Sequence, residues 1–205
     1  MNILEFPEEF DLKSGLGRTS ARDTGMLHLS DIAHYIDHKL GLSKRNKGTN
    51  KWNMMAAAEV GFLWEDLLSL VLANKYAARI GEVELDGIIG SPDGVSDDDP
   101  LKVWPVVDEE YKATWRSINK DPESIWYWMC QFKSYCKMLG VRVTVLRVLY
   151  INGDYKGSGP IPKKYRLEFS EMELDENWAM ILNHRDEMLR KGLYTFEEAL
   201  GADDF

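Results

Sequence analysis

Three side chains in the middle of the sequence have the types and the spacing of a site for phosphate chemistry. Asp93 stands in the glycine-flanked segment GSPDG, and Glu110 and Lys112 follow it in VVDEEYKA. Residues two apart in a strand share a face, so we expect Glu110 and Lys112 to lie side by side, with Tyr111 opposite. Two carboxylates on neighbouring strands suit a hard divalent cation, Mg²⁺ or Mn²⁺. A lysine beside them is placed to orient a water molecule and to stabilise charge on a phosphate.

The acidic run at positions 108–110 leaves two registers open for this site. Asp108 is an alternative metal-side carboxylate, but only Glu110 has a lysine two residues further on, and we therefore favour Glu110. The residues also have plainer interpretations. Asp93 followed by glycine is typical of a turn, and a carboxylate and a lysine two apart are typical of a solvent-facing ion pair on an edge strand.

Helical and strand patterns follow one another along the chain and predict the elements that hold these residues. Ser30 is a suitable N-cap and Gly41 a suitable end for a first helix, and apolar residues three and four apart indicate a second, longer helix. Short β-branched segments between turn residues indicate strands. The predicted helices are 31–40, 52–79, 124–139 and 174–190. The predicted strands lie within 83–95, 103–114, 141–151 and 165–169, with a hairpin turn at 152–154.

This order of elements predicts an α/β (α+β) fold in which a central mixed β-sheet is flanked by helices. One domain, 1–205, is the natural division for a chain of 205 residues. Within it we expect an irregular N-terminal arm, 1–29, and a C-terminal helical segment, 171–205.

The composition restricts the class of protein. With 34 acidic and 25 basic side chains the net charge is −9, which argues against a protein that coats nucleic acid by bulk charge but not against a local basic groove. Two cysteines are too few for a disulfide scaffold, an iron–sulfur cluster or a four-cysteine zinc site. Much of the excess acid, including 97–99, is predicted to lie in solvated loops.

The sequence also lacks the patterns of exported and membrane proteins. Its first ten residues are acidic and interrupted by Pro7, unlike a signal peptide, and its apolar stretches are shorter than the ~20 residues of a membrane span. We therefore expect a soluble protein of the cytoplasm, or of the host cytoplasm if a phage encodes it, with no membrane partner.

Four motifs in order resemble the PD-(D/E)XK nuclease superfamily, in particular its RecB-like and lambda-exonuclease-like branch of phage-type exonucleases. Pro92-Asp93 and Glu110-x-Lys112 match the pattern that names the superfamily. The helical segment GFLWE, 61–65, is similar to the first motif of that branch. The segment QFKSY, 131–135, fits the QxxxY helix that follows the Glu-x-Lys strand. The resemblance covers positions 61–151.

The resemblance implies a restriction-endonuclease-like core, and it implies a role for each residue of the site. Asp93 and Glu110 would bind Mg²⁺ or Mn²⁺ together with the backbone carbonyl of Tyr111, Lys112 would position the attacking water, and Glu65 would complete the metal site. Gln131 and Tyr135 would face DNA from one side of their helix.

The implied function is a metal-dependent deoxyribonuclease, most simply an exonuclease of phage-type recombination or DNA processing. Its implied partners are DNA, a recombination or replication protein, and further copies of the chain in a homo-oligomer. The alternative is a non-catalytic module that binds nucleic acid or protein on the same scaffold.

Basic and aromatic residues outside the motifs are candidate DNA contacts. The basic loop 44–51 is either a solvated charged loop or a clamp on DNA. The aromatic and basic residues shortly after Lys112 either pack in the core and at its edge or stack on a base. The candidates are Lys44, Arg45, Lys47, Trp115 and Arg116. His34 and His38 share one helix face, but without an evident third ligand a structural role is favoured over zinc.

Overall fold

The computed structural model describes residues 26–42, 51–72, 77–78, 80–157 and 159–201. The strands are β1 (Leu27–His28), β2 (Ala77–Ala78), β3 (Val83–Leu85), β4 (Ile88–Gly90), β5 (Gly94–Ser96), β6 (Val107–Thr114), β7 (Val143–Tyr150) and β8 (Ile161–Glu168). The helices are α1 (Leu29–Leu40), α2 (Lys51–Leu72), α3 (Trp126–Leu139), α4 (Glu171–Arg190) and α5 (Phe196–Gly201), with a short 3-10 helix at Pro122–Ser124. Among these residues no helix is both long and apolar enough to cross a membrane.

Five strands form the main sheet, in the order β2-β5-β6-β7-β8, and β1, β4 and β3 form a smaller one. The central strands β6 and β7 run parallel, whereas the other neighbours in the main sheet are antiparallel. A parallel pair needs a crossover connection, which here contains α3. Strand β7, VTVLRVLY, is buried along most of its length, as expected for a strand covered on both faces.

Helices α2 and α3 cover opposite faces of β6. Trp64 and Leu68 of α2 pack against Tyr111. On the other face, the Lys112 ammonium lies 5.7 Å from the centre of the Phe132 ring of α3. The predicted mixed sheet flanked by helices is confirmed, and its alternating pleat places Glu110 and Lys112 toward α3.

Helix α1 begins two residues before the predicted start, so the prediction of Ser30 as N-cap is wrong. His28 occupies the cap position with φ −86° and ψ 141°, without a side-chain cap. The reason is β1, in which Leu27 and His28 pair in parallel with Ile88 and Ile89. This pairing holds His28 extended, and regular structure therefore replaces the predicted arm from Leu27 onward.

The predicted second helix is too long. Helix α2 ends at Leu72, and Ala77 and Ala78 form β2 beside Ser96 and Val95. Alanine has the highest helix propensity of all residues, but propensity is a weak preference, and pairing with the sheet overrides it here. The rest of the predicted helical stretch, 73–76 and 79, lies outside the described residues.

Helix α4 begins at Glu171, three residues before the predicted start, because of a capping box. The Ser170 hydroxyl accepts the N–H of Glu173 at 3.2 Å, and the Glu173 carboxylate accepts the N–H of Ser170 at 2.9 Å. The pattern Ser-x-x-Glu is a helix-start signal present in the sequence.

The acidic loop after β5 is more buried than the sequence predicts. Asp99 is fully buried, and its carboxylate accepts the N–H groups of Leu101, Val103 and Trp104. The Arg166 guanidinium donates to the same carboxylate at 2.6 Å and, with these N–H groups, holds the pKa of Asp99 well below its usual range. This acid therefore fixes a loop rather than serving only solubility.

Candidate active site

Asp93, Glu110 and Lys112 lie together, as the sequence predicts. Strand β5 starts opposite Glu109, through the pair Gly94 and Glu109, which places Asp93 beside Glu110. The Asp93 N–H points to Glu110 Oε1 at 3.3 Å. Lys112 Nζ lies 2.7 Å from Glu110 Oε2 and 3.6 Å from Asp93 Oδ2, so one ammonium group contacts both carboxylates.

The backbone of Tyr111 contributes to the same cluster. Its N–H donates to Asp93 Oδ2 at 2.7 Å. The N–H and the C=O of one residue in an extended strand point to the same side. The Tyr111 carbonyl therefore also faces the edge of β6 beside Asp93, past the point where the pairing with β5 ends at Gly94.

Burial makes the negative charge at this site costly. The Glu110 side chain is 1% exposed, against 16% for Asp93 and 21% for Lys112. Burial raises the pKa of Glu110 to about 8, against the opposing effect of the Lys112 ammonium. Burial alone would lower the pKa of Lys112, but Glu110 and Asp93 outweigh it and raise that pKa well above its usual value. The site therefore favours additional positive charge next to Glu110.

Asp108 points into the core rather than toward Lys112. It is fully buried, and the Thr144 hydroxyl donates to its Oδ2 at 2.8 Å, while Cys136 Sγ lies 3.2 Å from the same hydroxyl. Burial, and then the neighbouring Glu110, raise the pKa of Asp108 well above its usual value. This arrangement favours Glu110 over Asp108 as the metal-side carboxylate.

The donors at the cluster fit a hard cation of the magnesium type. Asp93, Glu110 and the Tyr111 carbonyl offer oxygen atoms only, as Mg²⁺ and Mn²⁺ prefer. In the described part of the chain no group of three or more His, Cys, Asp or Glu side chains is arranged to hold a metal. In general, Mg²⁺ binds proteins through one or two carboxylates and keeps several waters.

The other motif residues lie on the helices on either side of β6. Glu65 is half-buried on α2, next to Trp64, and its role at a metal stays a prediction. Tyr135 is 6% exposed, and burial, followed by Glu110, raises its pKa well above the usual value. Gln131 is buried and donates to the Tyr127 hydroxyl at 3.1 Å.

The predicted DNA contacts divide into two groups. Trp115 and Arg116 are exposed directly after β6, whereas Lys44, Arg45 and Lys47 lie outside the described residues. His34 stacks on Tyr127, with ring centres 4.4 Å apart, which agrees with the structural role favoured for it.

A pocket of about 220 Å³ beside the cluster contains residues that the sequence analysis did not single out. These residues are His28, Glu82 and Ser91, and Ser30 and Tyr135 line the pocket as well. His28 is 7% exposed, and its Nε2 is buried without a hydrogen-bond partner among the described residues. His28 reaches the pocket only because β1 pairs with β4, and no local sequence pattern predicts that pairing. Ser91 stands two residues before Asp93, so its place near the site could have been predicted from the sequence.

Several solved structures have a similar architecture. The alkaline exonuclease LHK-Exo from Laribacter hongkongensis, in complex with dAMP, superposes with a TM-score of 0.50 at 13% identity over 82% of this chain and 89% of that one. The fold is similar to that of this alkaline exonuclease. The resemblance to the phage-type exonucleases is thus confirmed at the level of the fold.

A phage-related exonuclease from Haemophilus somnus 129PT is also similar, with a TM-score of 0.45 at 11% identity over 80% of this chain and 81% of that one. No protein-family model matches the sequence, and no curated protein does. The similarity is one of fold, and it assigns no chemical role to any residue of this chain.

Proposed function

We propose that this chain is a divalent-metal-dependent deoxyribonuclease that hydrolyses phosphodiester bonds. The observation that carries the proposal is the cluster at the edge of β6, in which the carboxylates of Asp93 and Glu110 both lie within 3.6 Å of the Lys112 ammonium group. On an exonuclease-like fold, a buried carboxylate pair with an adjacent lysine is the donor set for metal-assisted attack on phosphorus.

Each group would have a distinct role. Asp93, Glu110 and the Tyr111 carbonyl would hold Mg²⁺ or Mn²⁺, and Glu65 would support the cation from α2. When bound, the cation supplies Lewis-acid chemistry at the phosphate and makes a water molecule more acidic. The Lys112 ammonium, kept charged by both carboxylates, would orient the attacking water and stabilise negative charge on the phosphate oxygens.

The pocket beside the cluster favours an exonuclease over an endonuclease. It lies at the N-terminus of α1, where backbone N–H groups and the helix dipole attract anions. His28 and Ser91 line the same pocket, together with one acid, Glu82. A terminal phosphate fits this chemistry, and its binding would bring the adjacent phosphodiester to Asp93, two residues from Ser91.

Calorimetry with Mn²⁺ tests the metal site without requiring activity. We expect wild-type protein to bind Mn²⁺ and Glu110→Gln to lose that heat, because the buried carboxylate is the charge that the cation neutralises. Asp108→Asn is the matched control for a buried carboxylate two residues away, and it should still bind. Loss of the heat in Asp108→Asn with retention in Glu110→Gln would instead assign the cation to Asp108. No heat in any of these proteins would favour the non-catalytic binding module.

A further inference from the structure

Two loops meet at the carboxyl ends of the parallel strands β6 and β7. The N–H of Ile151 donates to the carbonyl of Thr114 at 2.9 Å, and the N–H of Ile118 donates to the carbonyl of Gly153 at 3.0 Å. The loop after β6 and the loop after β7 are thus joined by backbone hydrogen bonds.

Each of these loops carries an exposed aromatic side chain. The side chain of Trp115 is 41% exposed and that of Tyr155 is 62% exposed. The Tyr155 hydroxyl donates to the backbone carbonyl of Trp115, which ties the tyrosine ring to the tryptophan residue. The pair lies at the end of the strand that carries Lys112, three residues or about 10 Å further along.

The backbone of Tyr155 is in a conformation that its side chain disfavours. Its φ of 63° lies in the left-handed region, which is costly for a residue with a Cβ. Such an exposed ring contributes little to the core, so packing does not compensate for this conformation. Strain of this type, where the surrounding structure maintains it, is a reason to look for a function.

Basic side chains that could contact phosphates lie on the same segments as the rings. Arg116, Lys120 and Lys156 are exposed on the same two loops of a chain with a net charge of −9. Three acidic residues lie on the same segments: Asp121, which accepts the Glu123 N–H at 3.0 Å, Asp154, which accepts the Lys156 N–H at 2.8 Å, and Glu123 itself.

We propose that Trp115 and Tyr155 form a stacking platform for unpaired bases of single-stranded DNA, with Arg116 and Lys156 on the flanking phosphates. Protein aromatic rings stack on bases whatever their sequence, provided that the bases are not paired. The inference rests on the proposed function, since the platform would serve the strand whose phosphodiester reaches Lys112.

Fluorescence anisotropy with a labelled oligothymidylate in EDTA tests the platform without hydrolysis. We expect Tyr155→Gly to weaken binding about tenfold, the usual loss for one stacked base, without lowering Tm, because glycine accepts the left-handed backbone. Trp115→Ala should weaken binding similarly, and Trp115→Phe should restore most of it. Tyr194→Ala is the matched control, because Tyr194 is a half-exposed tyrosine between α4 and α5.

Affinities of Tyr155→Gly and Trp115→Ala equal to that of Tyr194→Ala would overturn the platform, as would equal competition by duplex DNA of the same length. If the proposed function is wrong, the experiments give a different result. If wild-type protein hydrolyses no DNA in Mn²⁺ but the losses of oligothymidylate binding occur as expected, the platform stands and the nuclease assignment fails.

Discussion

Lys112→Ala and Asp93→Asn are each expected to lower Mn²⁺-dependent DNA hydrolysis by about a hundredfold to a thousandfold, the usual loss when one preorganised group that stabilises transition-state charge is removed. Lys112 Nζ contacts both carboxylates, so its loss removes the group that orients water and stabilises the phosphate. The asparagine at position 93 can still accept the Tyr111 N–H, and the local backbone should therefore be kept. The rate of release of acid-soluble nucleotide from linear DNA measures the effect.

A neighbouring lysine provides the matched control. Lys163 on β8 is exposed and pairs in register with Val148, which in turn pairs with Lys112, so it lies on the same face of the sheet. Lys163→Ala should retain most of the activity, and circular dichroism should show all three variants folded. Wild-type rates in purified, folded Lys112→Ala or Asp93→Asn would remove these residues from the chemistry.

Arg147→Met is expected to lower the free energy of unfolding by about 3–5 kcal/mol, the usual cost of leaving one partner of a buried ion pair uncompensated. Arg147 Nε donates to Glu109 Oε2 at 2.9 Å and its Nη2 to Asp98 Oδ2 at 2.8 Å. Glu109 is fully buried, so the substitution leaves its charge in the core. Urea unfolding followed by tryptophan fluorescence measures the change.

Two comparisons isolate the ion pair from the loss of side-chain volume. Arg142→Ala removes an exposed pair with Glu171, at 40% and 74% side-chain exposure, and should cost no more than about 1 kcal/mol. The double variant Glu109→Gln with Arg147→Met should recover part of the loss, because it removes the stranded charge as well. A single Arg147→Met that costs no more than Arg142→Ala would show that the buried pair contributes little.

The cluster could be predicted from the sequence because its geometry is local. Glu110 and Lys112 share a face through the two-residue period of a strand, and the glycines around Asp93 place a turn where a second strand begins. The spacing to Lys112 favoured Glu110 over Asp108, but it did not predict how the two carboxylates are surrounded. Helix α3 covers both residues. The difference comes from Thr144, which stands more than thirty positions later in the chain and donates a hydrogen bond to Asp108.

Contacts between distant segments could not be predicted in this way. His28 reaches the pocket only because β1 pairs with β4 across sixty residues, and no periodicity marks a two-residue strand. The acidic run 97–99 has the composition of a solvated loop, yet Asp98 and Asp99 bind cations of β7 and β8. Those cations, Arg147, Lys164 and Arg166, become neighbours of the loop only when the sheet has formed.

We propose that the protein degrades DNA from an end, using a metal ion, the cluster of Asp93, Glu110 and Lys112, and the pocket lined by His28 and Ser91. The most direct measurement is to incubate end-labelled linear DNA, carrying a terminal phosphate, and closed circular DNA side by side with Mn²⁺, with Asp93→Asn as the inactive control. We expect wild-type protein to release label from linear DNA while the circle stays intact, and Asp93→Asn to leave both unchanged. Cutting of the circle as fast as the linear DNA, or equal hydrolysis by Asp93→Asn, would contradict it.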